Sequence, residues 1–128
     1  MNQSLSIFIP LNKPLPSIAN ISEHWRAGVR RKNILRNLVN SYSRAEILIR
    51  EWNFPVKVTL IRVSPRHLDS DNLQAAFKTI RDTVASIFFP DKAAGRADDL
   101  PCFKWCYDQT KKGAKQYGFY ILIEELGE

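Results

Sequence analysis

The feature that most limits what this chain can fold into is a change of hydrophobic period across one short stretch. From Val56 to Val63, the residues Val56, Val58 and Leu60 alternate with Lys57, Thr59 and Ile61, a period of two that reads as a β-strand closed by Pro65. From Leu73 to Phe88 the period becomes 3.6. Leu73, Phe77, Ile80, Val84 and either Ile87 or Phe88 form one apolar stripe, which predicts an amphipathic helix with Gln74, Lys78 and Arg81 on another face. Between the two runs stands His67-Leu68-Asp69-Ser70-Asp71-Asn72. Two carboxylates two residues apart therefore sit where a strand hands over to a helix.

The other elements follow from the same reasoning. Leu5, Ile7 and Ile9 alternate as a first strand that Pro10 should stop, and Asn12 to Ser17 form a Pro-rich loop. Asn20 and Ser22 are candidate caps for a helix over 23–52. In that helix Trp25, Val29, Leu35, Leu38, Val39, Tyr42, Ala45 and Ile49 recur at helical spacing, and Asn53 and Pro55 end it. Phe103, Trp105 and Tyr107 alternate as a third strand, and Gln109 to Gly113 form a basic turn. Tyr117, Phe119, Ile121 and Ile123 alternate as a fourth. The aromatics of these strands suit a packed sheet face, with stacking on bases as the alternative. The order β-α-β-α-β-β predicts an α+β fold, a small mixed β-sheet with two main helices packed on one face.

A chain of 128 residues fits a single domain, 1–128, able to remove roughly 65–70% of its unfolded surface from water. No apolar run approaches the roughly 20 residues of a membrane helix, and no basic-then-apolar secretory segment is visible, so a cytoplasmic protein without membrane partners is expected. Cys102 and Cys106 are too far apart on an extended strand for a disulfide, and only His24 and His67 could join them at zinc. Buried reduced thiols are expected. His67 reads as a polar loop residue.

Charge is unevenly distributed. Residues 1–68 hold eleven Lys/Arg against three acids, whereas residues 69–128 hold eight against ten. Arg26, Arg30, Arg31, Lys32 and Arg36 crowd the first helix with only Glu23 nearby. A solvated helix face usually intersperses both signs, so this run suits a surface contacting phosphates.

Each acid has an ordinary reading: Asp71 as an N-cap with Gln74 completing an approximate capping box, Asp69 as a turn residue, Asp98-Asp99 as a loop pair. In an extended segment, however, residues i and i+2 point the same way, so Asp69 and Asp71 can converge and repel. Magnesium relieves that repulsion, keeps several waters, and leaves positions for phosphate oxygens. Asp99, at the entry to the next strand, would supply a third carboxylate.

The segment Asp69-Ser70-Asp71-Asn72-Leu73-Gln74, an amphipathic helix, then Asp98-Asp99 before a strand resembles the RusA family of Holliday-junction resolvases. Pro16-Ser17 followed by Asn20 adds a fainter likeness. The resemblance implies a Mg²⁺-dependent (Mn²⁺ as substitute), homodimeric endonuclease of DNA recombination and repair that nicks four-way junctions in pairs, of a kind often carried by phages and prophages. It gives Asp69, Asp71 and Asp99 the metal-ligand roles. The family's lysine falls at Ala75 here, and Lys78, about one turn on, is the nearest substitute for neutralising phosphate charge. The loop before Asp98-Asp99 is several residues longer than is usual in the family. Arg26, Arg30, Arg31 and Lys32 would position DNA without reading its bases. Two rival readings stand beside this one: a non-catalytic DNA-binding module that keeps the fold, and a plain α+β interaction protein.

Overall fold

The computed structural model describes residues 2–16, 25–92, 96–111 and 116–127, and it bears out the α+β class. Strand β1 (Ser4–Leu11) buries Leu5, Ile7 and Ile9 and exposes the residues between them. It runs straight through Pro10, which was expected to stop it. The reason is its place at the sheet edge, where one side needs no hydrogen bonds and a missing N–H is tolerated. Pro10 lies opposite Gly118, where an added Cβ would stand 2.6 Å from the Ile9 carbonyl oxygen, so only glycine allows this approach.

Helix α1 (Trp25–Leu48) buries Leu35, Val39, Ser43 and Ile47, one residue per turn. The candidate caps Asn20 and Ser22, and Ser17, Glu23 and His24, lie outside the described residues. The helix ends before Trp52, whose indole Nε1 donates to the Ile47 carbonyl at 3.0 Å and satisfies one group at the helix end. Of the apolar residues expected in its core stripe, Trp25, Val29, Tyr42, Ala45 and Ile49 are exposed. The buried line follows the four-residue spacing 35, 39, 43, 47, which Tyr42, Ala45 and Ile49 do not share.

Strand β2 (Val56–Val63) has the boundaries that its alternation predicts. The helix expected after it is two helices, α2 (Ser70–Ala76) and α3 (Lys78–Phe88), broken at Phe77. The Phe77 backbone (φ −95°, ψ 2°) leaves helical geometry, and its N–H reaches Gln74 O at 3.1 Å, a tightened last turn. The fully buried ring packs edge-on against Phe119 and beside Tyr107. A 3-10 turn at Ala97–Asp99 leads to β3 (Phe103–Thr110), and β4 (Tyr117–Glu125) ends the fold. Gln109 and Thr110 belong to β3, while Lys112 and Gly113 of the expected basic turn lie outside the described residues.

The sheet order is β1-β4-β2-β3, with β2 and β3 parallel and the other pairs antiparallel. Parallel neighbours need a crossover, and α2–α3 supplies it, so one end of the β2–β3 pair carries the acidic junction. Ile9, Val58, Leu60, Phe119, Ile121 and Ile123 share one core with Val39, Ile47, Phe77, Ile80 and Val84 of the helices. On the other face Ser6, Phe8, Thr59, Tyr120 and Leu122 stay exposed or half-buried. No helix among the described residues is long and apolar enough to cross a membrane.

Candidate functional site

The acidic junction is anchored from two sides. Arg62, 4% exposed, donates from Nε to Leu15 O at 2.9 Å and from Nη1 to Arg66 O at 2.7 Å. Burial pulls its pKa below the ordinary arginine value, and these carbonyls take the place of a carboxylate partner. On β3, the Gln109 side chain brackets Leu68. Its Oε1 accepts from Leu68 N at 2.9 Å and its Nε2 donates to Leu68 O at 2.6 Å. The residue just before Asp69 is thereby fixed to the sheet.

Asp69 is the N-cap of α2, its Oδ1 accepting from Asn72 N at 3.0 Å; Asp71, expected in that role, sits in the first turn. The two aspartates are therefore not both extended, and the argument that alternation aims them at one point does not hold here. Both are exposed, and the partial positive charge of the helix start favours them. Ser70 between them lines, with Leu73, Gln74, Trp105, Tyr107 and Gln109, a cleft of about 570 Å³ between α2 and β3.

The second acidic pair is organised by Arg81. Its Nε donates to Asp98 Oδ2 at 2.8 Å, its Nη1 to the Tyr107 hydroxyl at 2.9 Å, and its guanidinium lies 4.9 Å from the Trp105 ring centre. Trp105 in turn donates from Nε1 to Asp98 O at 2.8 Å. Burial opposes the charge on Arg81, but Tyr107 and Asp98 outweigh it and hold the guanidinium above its ordinary pKa. Asp98 is 8% exposed, whereas the Asp99 side chain is 76% exposed, with Oδ1 3.8 Å from Arg81 Nη2.

Asp98 also meets Asp82 of α3. Burial first, and the nearby Asp98 carboxyl second, push the Asp82 pKa up, against the pull of Lys78 and Arg81. Each of these carboxyls keeps one buried oxygen, Oδ1, with no donor. An oxygen buried without a donor disfavours the charged carboxylate, which is the direction in which Asp82 is shifted.

The expected site residues therefore fall into separate groups. Asp69 and Asp71 stand together at the start of α2, and Asp99 belongs with Arg81 and Asp98. Among the described residues, no three His, Cys, Asp or Glu side chains are grouped to hold one ion. Magnesium needs only one or two protein carboxylates when phosphate oxygens complete its shell, and Asp69 and Asp71 are hard-oxygen donors of the kind it takes, which Asp99 does not join. Lys78 is exposed at the start of α3, beside Asp82. Arg26, Arg30 and Lys32 are exposed on α1, Arg31 is half-buried, and the Arg26 guanidinium lies 5.4 Å from the Trp25 ring centre. His67 is exposed. Both cysteines are free and half-buried rather than fully buried, and burial raises the Cys102 thiol pKa.

Sequence reasoning missed the Arg81–Asp82–Asp98 cluster. Its only linear signal is an Arg-Asp step beside the apolar stripe of α3; the partner lies across a loop. No family model matches the chain, and no curated protein matches it.

Proposed function

We propose that this chain is a Mg²⁺-dependent endodeoxyribonuclease that cuts branched DNA, with a four-way junction as the preferred substrate and a homodimer as the acting form. The observation that carries the reading is the acidic junction itself. Asp69 and Asp71 project from a helix start that Arg62 and Gln109 fix in place, beside an open cleft, on a chain whose α1 is strongly basic. Asp69 and Asp71 would hold the ion, which when bound supplies charge neutralisation at a phosphodiester. The chain's own part is positional. The Gln109 clamp and the Asp69 cap keep both carboxylates at the helix start, Lys78 sets a cation against the phosphate backbone, and Arg26, Arg30, Arg31 and Lys32 orient the duplex arms. Two-fold symmetry suits the paired cuts that a four-way junction requires.

One observation favours a second reading. Asp99 is engaged with Arg81 rather than with Asp69 and Asp71. A two-carboxylate junction without a third is also what a DNA-binding protein lacking cleavage would show.

The test is incubation with a labelled four-way junction and a matched linear duplex, with Mg²⁺, with Mn²⁺ and with chelator. Paired nicks in the junction only, lost with chelator and in Asp71→Asn while binding persists, are the expected result. Salt-dependent binding without any cutting in either metal establishes the binding protein instead. Sedimentation of the free protein checks the dimer.

A further inference from the structure

We propose that the groove between α1 and α3 is a seat for the sugar–phosphate backbone of a nucleic-acid strand, gripped by Arg36 and Arg44 with the Asp82 carboxyl at its floor. The inference rests on the DNA-acting reading above and names a contact surface that the acidic junction does not include.

The groove holds about 290 Å³ and is lined from α1 by Arg36, Asn40 and Arg44 and from α3 by Asp82, Thr83 and Ser86. The α1 side belongs to a longer pattern. Arg26, Arg30, Asn33, Asn37, Asn40 and Arg44 are spaced 4, 3, 4, 3, 4, which places them along one flank of the helix. That flank is built of arginine and asparagine throughout, and it runs about 27 Å. Arginine supplies charge and forked donors, and asparagine supplies neutral donors. Both residue types donate hydrogen bonds to phosphate and sugar oxygens. The flank carries no acid. Glu46, the acid of α1, turns to Arg50 at 3.3 Å. Among the described residues no carboxylate pairs with Arg36 or Arg44, and the Arg36 guanidinium donates to Asn33 Oδ1 at 3.1 Å.

Asp82 decides what the groove can hold. It lines the same groove as the two arginines yet forms no ion pair with either. Its neighbours are Lys78 and Arg81 on its own helix, Asp98 from the 3-10 turn, and Arg36 and Arg44 across the groove, with Tyr107 of β3 and Asp99 reaching it only through Arg81. While Asp82 holds its proton, the floor presents a neutral carboxyl beside two cations, a surface for a phosphodiester. Once Asp82 ionises, the floor repels phosphate and competes for the arginines. The raised proton affinity of Asp82 therefore supports the seat, and binding should weaken as pH rises.

The test is fluorescence anisotropy with the labelled junction at several salt concentrations, comparing wild type, Arg36→Ala/Arg44→Ala, and Arg50→Ala as control, with thermal melts confirming the fold. The double variant should bind at least about tenfold more weakly, with a log–log salt slope smaller by about 1.4–1.8, two phosphate contacts. Arg50→Ala should match wild type. Arg44→Gln alone, a milder change, should lose about half of that slope difference. A pH series should weaken wild type with rising pH and leave Asp82→Asn flat. Equal affinity and slope in wild type and the double variant overturns the groove while the DNA reading stands. A wild type that binds no DNA overturns both. Displacement of the junction by inorganic pyrophosphate at matched ionic strength would assign the groove to a small anion and overturn the strand.

Discussion

Arg81 and Asp98 meet at 2.8 Å, and their contact ties the first turn of α3 to the 3-10 turn that leads into β3. The carboxylate is nearly inaccessible while the guanidinium is about a quarter exposed, so removing the cation strands a buried charge. Arg81→Met should lower stability by about 2–4 kcal/mol, toward the low end because water still reaches the guanidinium. Arg81→Lys should recover only part of that, since one ammonium cannot serve Asp98 and Tyr107 together while lying flat on Trp105. Urea denaturation of the three proteins checks the order.

The Asp82–Asp98 contact gives stability a distinctive pH dependence. Asp82 is held above the ordinary carboxylate value, first by burial and then by Asp98. A carboxyl whose folded pKa exceeds its unfolded value holds its proton more tightly when folded. Its contribution is complete below about pH 4 and is lost as pH rises through the folded value. The urea midpoint of wild type should therefore fall across that interval, and Asp82→Asn should remove that part of the slope.

The parts of this fold that were legible in the sequence are those set by local period. Alternation gives β2 its boundaries from Val56 to Val63, and the stripe from Leu73 to Ile87 is buried throughout. What was not legible depends on distant partners. Pro10 could remain in β1 only because that strand lies at an edge, and the helix breaks at Phe77, whose ring packs against Tyr107 of β3 and Phe119 of β4. Asp98 was indistinguishable from Asp99 in the chain, yet one is buried against Arg81 and the other stands in water. The Arg/Asn flank of α1 is legible in the chain, since the 4-3-4-3-4 spacing from Arg26 to Arg44 needs only the helix period.

Capping and the proposed ion-binding role separate at the acidic junction. Asp69 caps α2, whereas Asp71 makes no cap contact. Asp69→Ala should cost about 1 kcal/mol of stability, and Asp69→Asn, which keeps the acceptor, much less. Asp71→Asn should leave stability within about 0.5 kcal/mol, losing only a favourable charge at the helix start. Cleavage, by contrast, should disappear in both asparagine variants. Melting curves and junction cleavage measured on the same preparations distinguish the two roles.

Glu125 should set the acid limit of the fold. Its carboxylate accepts from Asn53 N at 2.7 Å, Gln3 N at 2.9 Å and Gln3 Nε2 at 3.0 Å, joining the end of β4 to the chain start and to the link between α1 and β2. The group is covered by its neighbours yet lies just beneath the surface, so burial opposes its charge only weakly. The Asn53 and Gln3 donors hold its pKa below the ordinary glutamate value. A depressed carboxyl contributes its stability above the unfolded value and loses it as pH falls through the folded one, the reverse of Asp82. Glu125→Gln puts an amide nitrogen where a backbone N–H already points, so its midpoint should be lower at neutral pH. In acid, where the wild-type carboxyl is itself protonated, the two midpoints should converge. A difference that stayed constant down to the acid transition would mean that the three donors stabilise shape rather than charge.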